Sequence, residues 1–238
     1  MGAFLYGLFL QWILDIRSKA MLITGYLLPL IFFLFMGGIF TSVNPLAQET
    51  LIQSMCIFGI SMGALVGLPP ALMEIYSSEI KKVYKANGVP LYLSVATNFI
   101  SAFLHLLIMS SIILVLAPLL FEAELPKNMA AFFISLALFI MATLGIGCIL
   151  GLVMKNIAKM TMVSQIVFLP SIMLSGIMFP ADLLPKTLRY VGKIFPAAWA
   201  FQAMTEKTVR LDLCVPVLIV FLISCLVCII LLSKKVNR

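Results

Sequence analysis

Long uncharged apolar stretches recur six times along this chain, and they limit what it can fold into. They cover about residues 21–40, 51–73, 93–119, 130–154, 160–179 and 213–232. A helix needs about 20 such residues to cross a bilayer, and 63% of the 238 residues are hydrophobic while only 11% are charged. The sequence therefore predicts an all-α membrane protein, a single domain over residues 1–238 with six transmembrane helices.

The cations are distributed unevenly between the two sides of this predicted bundle. Most of them lie on the side that contains both termini. The other side has Lys127 and a further group in the last loop, between residues 186 and 210. Because cytoplasmic loops carry an excess of Lys and Arg, both termini are predicted in the cytoplasm. Topology thus explains the net charge of +7 without nucleic acid. The cations of the cytoplasmic side are Arg17, Lys19, Lys81, Lys82, Lys85, Lys155, Lys159, Lys234, Lys235 and Arg238.

Residues 3–19 are predicted to form an interfacial helix before the first span. Gln11, Asp15 and Lys19 recur at every fourth position as a polar stripe, and Asp15 and Lys19 have the spacing of a favourable ion pair. Trp12 is typical of the headgroup zone. The remaining apolar surface is expected to lie against the inner leaflet.

Glycines at helical spacing predict close contacts between helices. Gly59, Gly63 and Gly67 lie four residues apart in the second span, and Gly147 and Gly151 do so in the fourth. Small residues at this spacing let backbones approach each other in lipid. For the second span, the partner is either another helix of the same subunit or a helix across a dimer seam or transport path.

Proline and ionisable residues within the spans indicate local irregularities. Pro29 is predicted to kink the first span and the Pro69-Pro70 pair to distort the end of the second. Pro170 has no backbone N–H, so it interrupts the helical hydrogen bonds of the fifth span. His105 lies near the middle of the third span, where an ionisable group is a functional candidate or a neutral residue bonded to a neighbouring helix.

The loop over residues 74–90 is predicted to contain a short amphipathic helix. Ser78 can cap its start, and Asn87-Gly88 followed by Pro90 ends it. Ile80, Val83 and Tyr84 share one face, and this favours docking in a groove of another protein. A solvated basic loop is the alternative. The residues of this candidate coupling helix are Glu79, Ile80, Lys81, Lys82, Val83, Tyr84, Lys85, Asn87 and Gly88.

The segment after the fifth span is too charged to cross the membrane and too apolar for an ordinary loop. Ser175-Gly176 and Phe179-Pro180 end the span. An apolar stripe then follows at helical spacing, comprising Leu184, Leu188, Val191 and Phe195. This pattern predicts a partly re-entrant hairpin at the outer mouth of a transport path.

Together these features resemble the membrane subunit of a type-2 ATP-binding-cassette (ABC) exporter, over essentially the whole chain. The most specific motifs are Ser175-Gly176-Ile177-Met178-Phe179-Pro180, Leu184-Pro185 and Phe195-Pro196. The 74–90 loop matches by its position and its Gly88-x-Pro90 ending. In that family the cytoplasmic helix docks on a separate ATPase, two permease subunits form the path, and short outer helices form a gate.

The resemblance implies a multi-pass protein of the bacterial plasma membrane, with a second permease subunit, a homodimer favoured, and two copies of an ATPase. No G-x-x-x-x-G-K-[ST] motif occurs here, so ATP and magnesium are expected in the partner, and no catalytic, cofactor or metal residue is expected in this chain. The implied outer-gate residues are Ser175, Gly176, Phe179, Pro180, Phe195 and Pro196. The implied path-lining residues are Met55, Gly59, Met62, Gly63, Ser164, Ser171 and Met173.

The uncharged, methionine-bearing second and fifth spans favour an amphipathic or apolar substrate such as a peptide, toxin, drug or lipid-like molecule. Two alternatives stay open: an exporter of a lipid-linked glycan and an ion-coupled secondary transporter. A membrane-embedded enzyme would need several ionisable side chains converging inside the bilayer, and only His105 clearly lies there.

Overall fold

The computed structural model describes residues 2–43, 45–77, 90–178 and 184–236, and all regular elements within these ranges are helical. The predicted coupling helix, 79–88, and the gate residues Phe179 and Pro180 lie outside them. The helices are α1 (Gly2–Arg17), α2 (Lys19–Val43), α3 (Leu51–Tyr76), α4 (Leu91–Phe121), α5 (Met129–Val153), α6 (Ile157–Met173), α7 (Lys186–Gly192), α8 (Pro196–Thr205) and α9 (Leu211–Val236).

Five of these helices, α2 to α5 and α9, are long and apolar enough to cross a membrane. They match five of the six predicted spans. The stretch predicted at 160–179 forms a shorter helix, α6, of 17 residues, or about 26 Å. It begins early because the Asn156 side chain caps it by accepting from the Lys159 N–H. It stops at Met173, ahead of Gly176, whose φ of 91° lies in the left-handed region.

Each of the first two membrane-length helices contains a π-helical turn directly before its prolines. The turn at Ile23–Leu27 precedes Pro29, and the turn at Gly63–Gly67 precedes Pro69 and Pro70. A proline ring clashes with the carbonyl four residues earlier, and those carbonyls fall within the two turns. The wider π turn accommodates the clash, so the predicted distortions are present as π turns within continuous helices.

Helix α3 is the centre of the bundle. Of its most apolar stretch 83% is buried, against 17% for α9. Gly147 and Gly151 of α5 bring the two backbones together, as predicted: a Cβ added at Gly147 would lie 2.1 Å from the Ala64 carbonyl oxygen, and one at Gly151 would lie 2.9 Å from that of Pro69. Close backbone packing, not side-chain bulk, therefore fixes α5 against α3.

The segments 45–50, 122–128 and 205–210 meet at one end of the bundle, called here the loop end. The Glu124 N–H donates to the Gln48 carbonyl at 3.1 Å, and the Gln48 side chain donates to the Phe121 carbonyl at 3.1 Å. Asn128 donates to the Lys207 carbonyl at 3.1 Å. Glu122 has a φ of 53°, so the chain turns sharply after α4 and reaches Gln48.

Candidate functional site

The base of the predicted coupling loop is fixed by a contact that the sequence did not reveal. Tyr76, at the end of α3, is buried, and its hydroxyl donates to the carbonyl of Leu91 in the first turn of α4. The ammonium of Lys235 lies 5.3 Å from the centre of the Tyr76 ring. The loop therefore leaves and rejoins the bundle at two points that are joined to each other.

The predicted path residues on α3 mostly contact other helices of the same chain. Met55 is buried, and Met62 is half-buried. A Cβ at Gly59 would lie 2.5 Å from the Met109 side chain, and one at Gly63 would lie 2.5 Å from that of Leu106. Of the two alternatives for these glycines, the structure places them in packing within one subunit. A part in a transport path stays a prediction.

Helix α6 has two chemically different faces. Ser164 and Ser171, both predicted to line the path, are buried, whereas Met173 is exposed. The ring of Phe168 contacts that of Phe58 edge-on at 5.6 Å, and this holds α6 to α3. The opposite face is exposed, and from Met162 onward it is apolar, comprising Met162, Ile166, Leu169 and Met173.

The predicted gate region begins with a tight turn that contacts the following hairpin. The Ser175 hydroxyl donates to the Ile172 carbonyl at 2.7 Å, and Gly176 follows with its positive φ. A Cβ at Gly192 would lie 2.4 Å from the Leu174 carbonyl oxygen, so α7 ends directly against this turn.

The hairpin itself consists of two short helices with different burial. Phe195 precedes α8, whose first residue, Pro196, is buried. In α7, by contrast, Leu188 and Val191 of the predicted apolar stripe are exposed. The Trp199 indole donates to the Lys193 carbonyl at 2.7 Å and so ties the two helices together. The re-entrant arrangement stays a prediction.

The polar stripe of α1 faces α4, and this corrects the predicted ion pair. Asp15 accepts from the Ser101 hydroxyl at 2.5 Å and from the Gln11 amide at 2.8 Å. The predicted Asp15–Lys19 ion pair is wrong, because α1 ends at Arg17 and Ser18 caps a new helix, which breaks the helical spacing between the two side chains.

His105 belongs to the same contact between α1, α2 and α4. Its ring stacks on Trp12, with centroids 4.1 Å apart and planes 6° from parallel. Its Nδ1 is hydrogen-bonded to the Tyr26 hydroxyl at 2.7 Å. Of the two readings of His105, the structure supports a residue bonded to a neighbouring helix. The polar residues can be recognised in the sequence, but which of them bond to each other cannot, because the partners lie 79 to 87 positions apart.

These features define a multi-pass membrane protein. It is a helical bundle with several membrane-length helices, glycine-mediated packing and a loop on a fixed base. The chain belongs to the ABC-2 type transporter family, whose description matches residues 4–207. It is thus a type-2 ABC permease, a transmembrane component and not itself the ATPase.

Two curated relatives share part of this sequence. The probable multidrug ABC transporter permease YbhS, from Escherichia coli K12 and from Escherichia coli O157:H7, is 42% identical over 69 residues in each case. That stretch is 29% of this chain and 18% of the relative. The match therefore covers less than a fifth of the length of these relatives.

Proposed function

We propose that this chain is the permease subunit of an ATP-driven exporter and works with two copies of a separate ATP-binding-cassette ATPase. One observation carries the proposal: an ABC-2 family chain whose sequence has no G-x-x-x-x-G-K-[ST] motif. The proposal therefore assigns ATP hydrolysis to a partner. The Tyr76–Leu91 contact supports this role, because a loop on a rigid base can pass a movement of the ATPase to both α3 and α4.

The proposed working unit contains two permease subunits, with a homodimer favoured. The exposed apolar face of α6 supports this part of the proposal, since a second copy could bury it. Ser164 and Ser171 lie on the other side of the helix. The path between the subunits would therefore be bordered by Met173 and its apolar neighbours more than by these serines.

The proposed substrate is an amphipathic or apolar molecule. The exposed face of α6 offers methionine and aliphatic side chains, which adapt to ligands of different shape. The name of the relatives, probable multidrug ABC transporter permease, agrees with this substrate class. The proposal assigns the outer gate to the end of α6, and the turn at Gly176 with its hairpin contact at Gly192 supports that assignment.

Reconstitution tests this function. Proteoliposomes that contain the chain and its ATPase should export an apolar fluorescent dye only with ATP and magnesium, and vanadate should stop export. The chain alone should neither hydrolyse ATP nor export the dye. Dye export driven by an ion gradient without the ATPase would contradict the proposal and favour a secondary transporter.

Single cysteines test the proposed orientation, in which both termini are cytoplasmic and the loop end faces outward. In a cysteine-free background, Leu125→Cys and Val209→Cys at the loop end should react with an impermeant thiol reagent added to intact cells. Both positions are exposed, as is Lys155, between α5 and α6. Lys155→Cys should react only after the cells are opened. The reverse pattern would show an inverted topology.

A further inference from the structure

An open apolar groove runs along the surface of the bundle between α4, α5 and α9. Its volume is about 370 Å³, which lies within the usual range for ligand-binding pockets. The residues that line it are aliphatic, aromatic, glycine or cysteine. All three helices are long and apolar enough to cross a membrane, so the groove lies at the depth of the lipid chains. An occupant would therefore come from the bilayer.

The groove exists because the residues of α5 that line it are small. Gly145 and Cys148 are both buried. A Cβ at Gly145 would lie 2.7 Å from the Cβ of Ser224, so α9 packs closely against α5 at this point. Phe99 of α4 and Phe221 of α9 also line the groove, with ring centroids 6.3 Å apart. The small residues of α5 leave the space between α4 and α9 unfilled.

The length of the groove matches the depth of one lipid leaflet. Along α9 it extends from Phe221 to Leu232, which is about 17 Å at a rise of 1.5 Å per residue. The hydrocarbon core of a bilayer is about 30 Å thick, so one leaflet accounts for about 15 Å. Leu232 lies near the end of α9, and Tyr92 lies near the start of α4. The groove therefore opens at the end of the bundle opposite the loop end.

A cation lies beside this opening, called here the mouth of the groove. The ammonium of Lys235, one turn after Leu232, lies 5.3 Å from the centre of the Tyr76 ring. The Tyr76 hydroxyl donates to the carbonyl of Leu91, which directly precedes Tyr92 in the chain. Tyr92 lines the groove and is 64% exposed, as is typical of a tyrosine at the level of the lipid headgroups. The groove is therefore apolar along its length and has a cation at one end.

We propose that the groove binds an anionic phospholipid of the leaflet at this end of the bundle. One acyl chain lies along the groove, and the phosphate lies at the mouth near Lys235 and Tyr92. The apolar lining alone cannot select a lipid, because every phospholipid offers acyl chains. The cation supplies the selectivity, since one lysine near the membrane surface favours an anionic lipid over a zwitterionic one roughly fivefold.

A lipid held in this groove would bridge α4 and α9 beside the Tyr76–Leu91 contact, at the base of the predicted coupling loop. In the proposed orientation this leaflet is the cytoplasmic one, whose surface is negatively charged. The groove uses helices other than α6, whose exposed face was assigned above to a second copy. The inference therefore depends neither on the proposed transport function nor on the proposed dimer.

The headgroup preference can be measured by native mass spectrometry. The purified chain in detergent is mixed with equal amounts of phosphatidylglycerol and phosphatidylcholine that have identical acyl chains. It should retain phosphatidylglycerol roughly fivefold more, and Lys235→Gln should remove most of this preference. Lys234→Gln is the matched control, because it removes the same charge from the neighbouring, exposed residue. It should change the preference by less than about twofold.

Two substitutions test the groove itself. Cys225→Phe fills it from α9, and Ala96→Phe fills it from α4. Each should lower the retained phosphatidylglycerol to the level of phosphatidylcholine. Leu226→Phe is the control, because Leu226 is exposed on α9 but does not line the groove, and it should retain lipid as the native chain does.

The proposal is overturned if the native chain retains the two lipids equally, or if Lys234→Gln and Lys235→Gln lower the preference by the same factor. It is also overturned if both groove-filling variants retain phosphatidylglycerol normally. If these variants instead convert a dimer of the chain into monomers, the groove is an interface between two copies and the lipid proposal is wrong.

Discussion

Gly147→Leu should prevent this protein from folding, and Gly147→Ala should destabilise it by about 2–3 kcal/mol. Even the alanine Cβ would lie 2.1 Å from the Ala64 carbonyl oxygen, which belongs to backbone and cannot rotate away. The substitution therefore forces α5 away from α3, the most buried helix of the bundle. Thermal unfolding in detergent and the yield of monodisperse protein would measure the effect.

Gly38→Ala is the matched control for this prediction. Gly38 also lies within a membrane-length helix, α2, but a Cβ there would lie 3.9 Å from the Phe121 ring, an ordinary contact. Without a clash, Gly→Ala in a helix is neutral or stabilising by up to about 1 kcal/mol. Equal losses for the two variants would show that the α3–α5 contact is not the cause of the destabilisation.

The lengths of the membrane helices could be read from the sequence because the bilayer sets them. The span predicted at 51–73 is the helix Leu51–Tyr76 in the structure, and the span predicted at 130–154 is the helix Met129–Val153. Hydrophobicity and the absence of charge define such a stretch before any tertiary contact forms. The contact at Gly147 and Gly151 was also predictable, because small residues at this spacing are typical of close helix–helix contacts in lipid.

Features that depend on distant partners could not be read in this way. Asp15 and Lys19 had the spacing of an ion pair, but Asp15 bonds instead to Ser101, 86 positions away. The loop end joins residues of three loops, since the Glu124 N–H donates to the Gln48 carbonyl and Asn128 donates to the Lys207 carbonyl, and only the folded chain brings them together. The end of α6 also differed, because hydrophobicity continues past the turn at Gly176 that stops the helix.

The second large effect is expected in the predicted coupling helix, 79–88, outside the described residues. Ile80, Val83 and Tyr84 form the apolar face that the sequence predicts for docking. The loop's base is fixed by Tyr76 and Leu91, so a force applied to this face would reach α3 and α4 directly. A change that blocks docking should therefore uncouple transport without disturbing the bundle.

Val83→Asp should abolish assembly with the ATPase, while the permease still inserts and keeps its unfolding midpoint. A carboxylate in an apolar groove is buried without a partner and costs several kcal/mol, so affinity should fall more than 100-fold and ATP-driven dye export should stop. Lys82→Gln lowers the net charge by the same amount, but Lys82 lies off the apolar face, so it should slow association more than it weakens the complex. Co-purification and export measured in parallel separate the two variants. Normal export by Val83→Asp would show that the loop is a solvated basic connection, which is the alternative that the sequence left open.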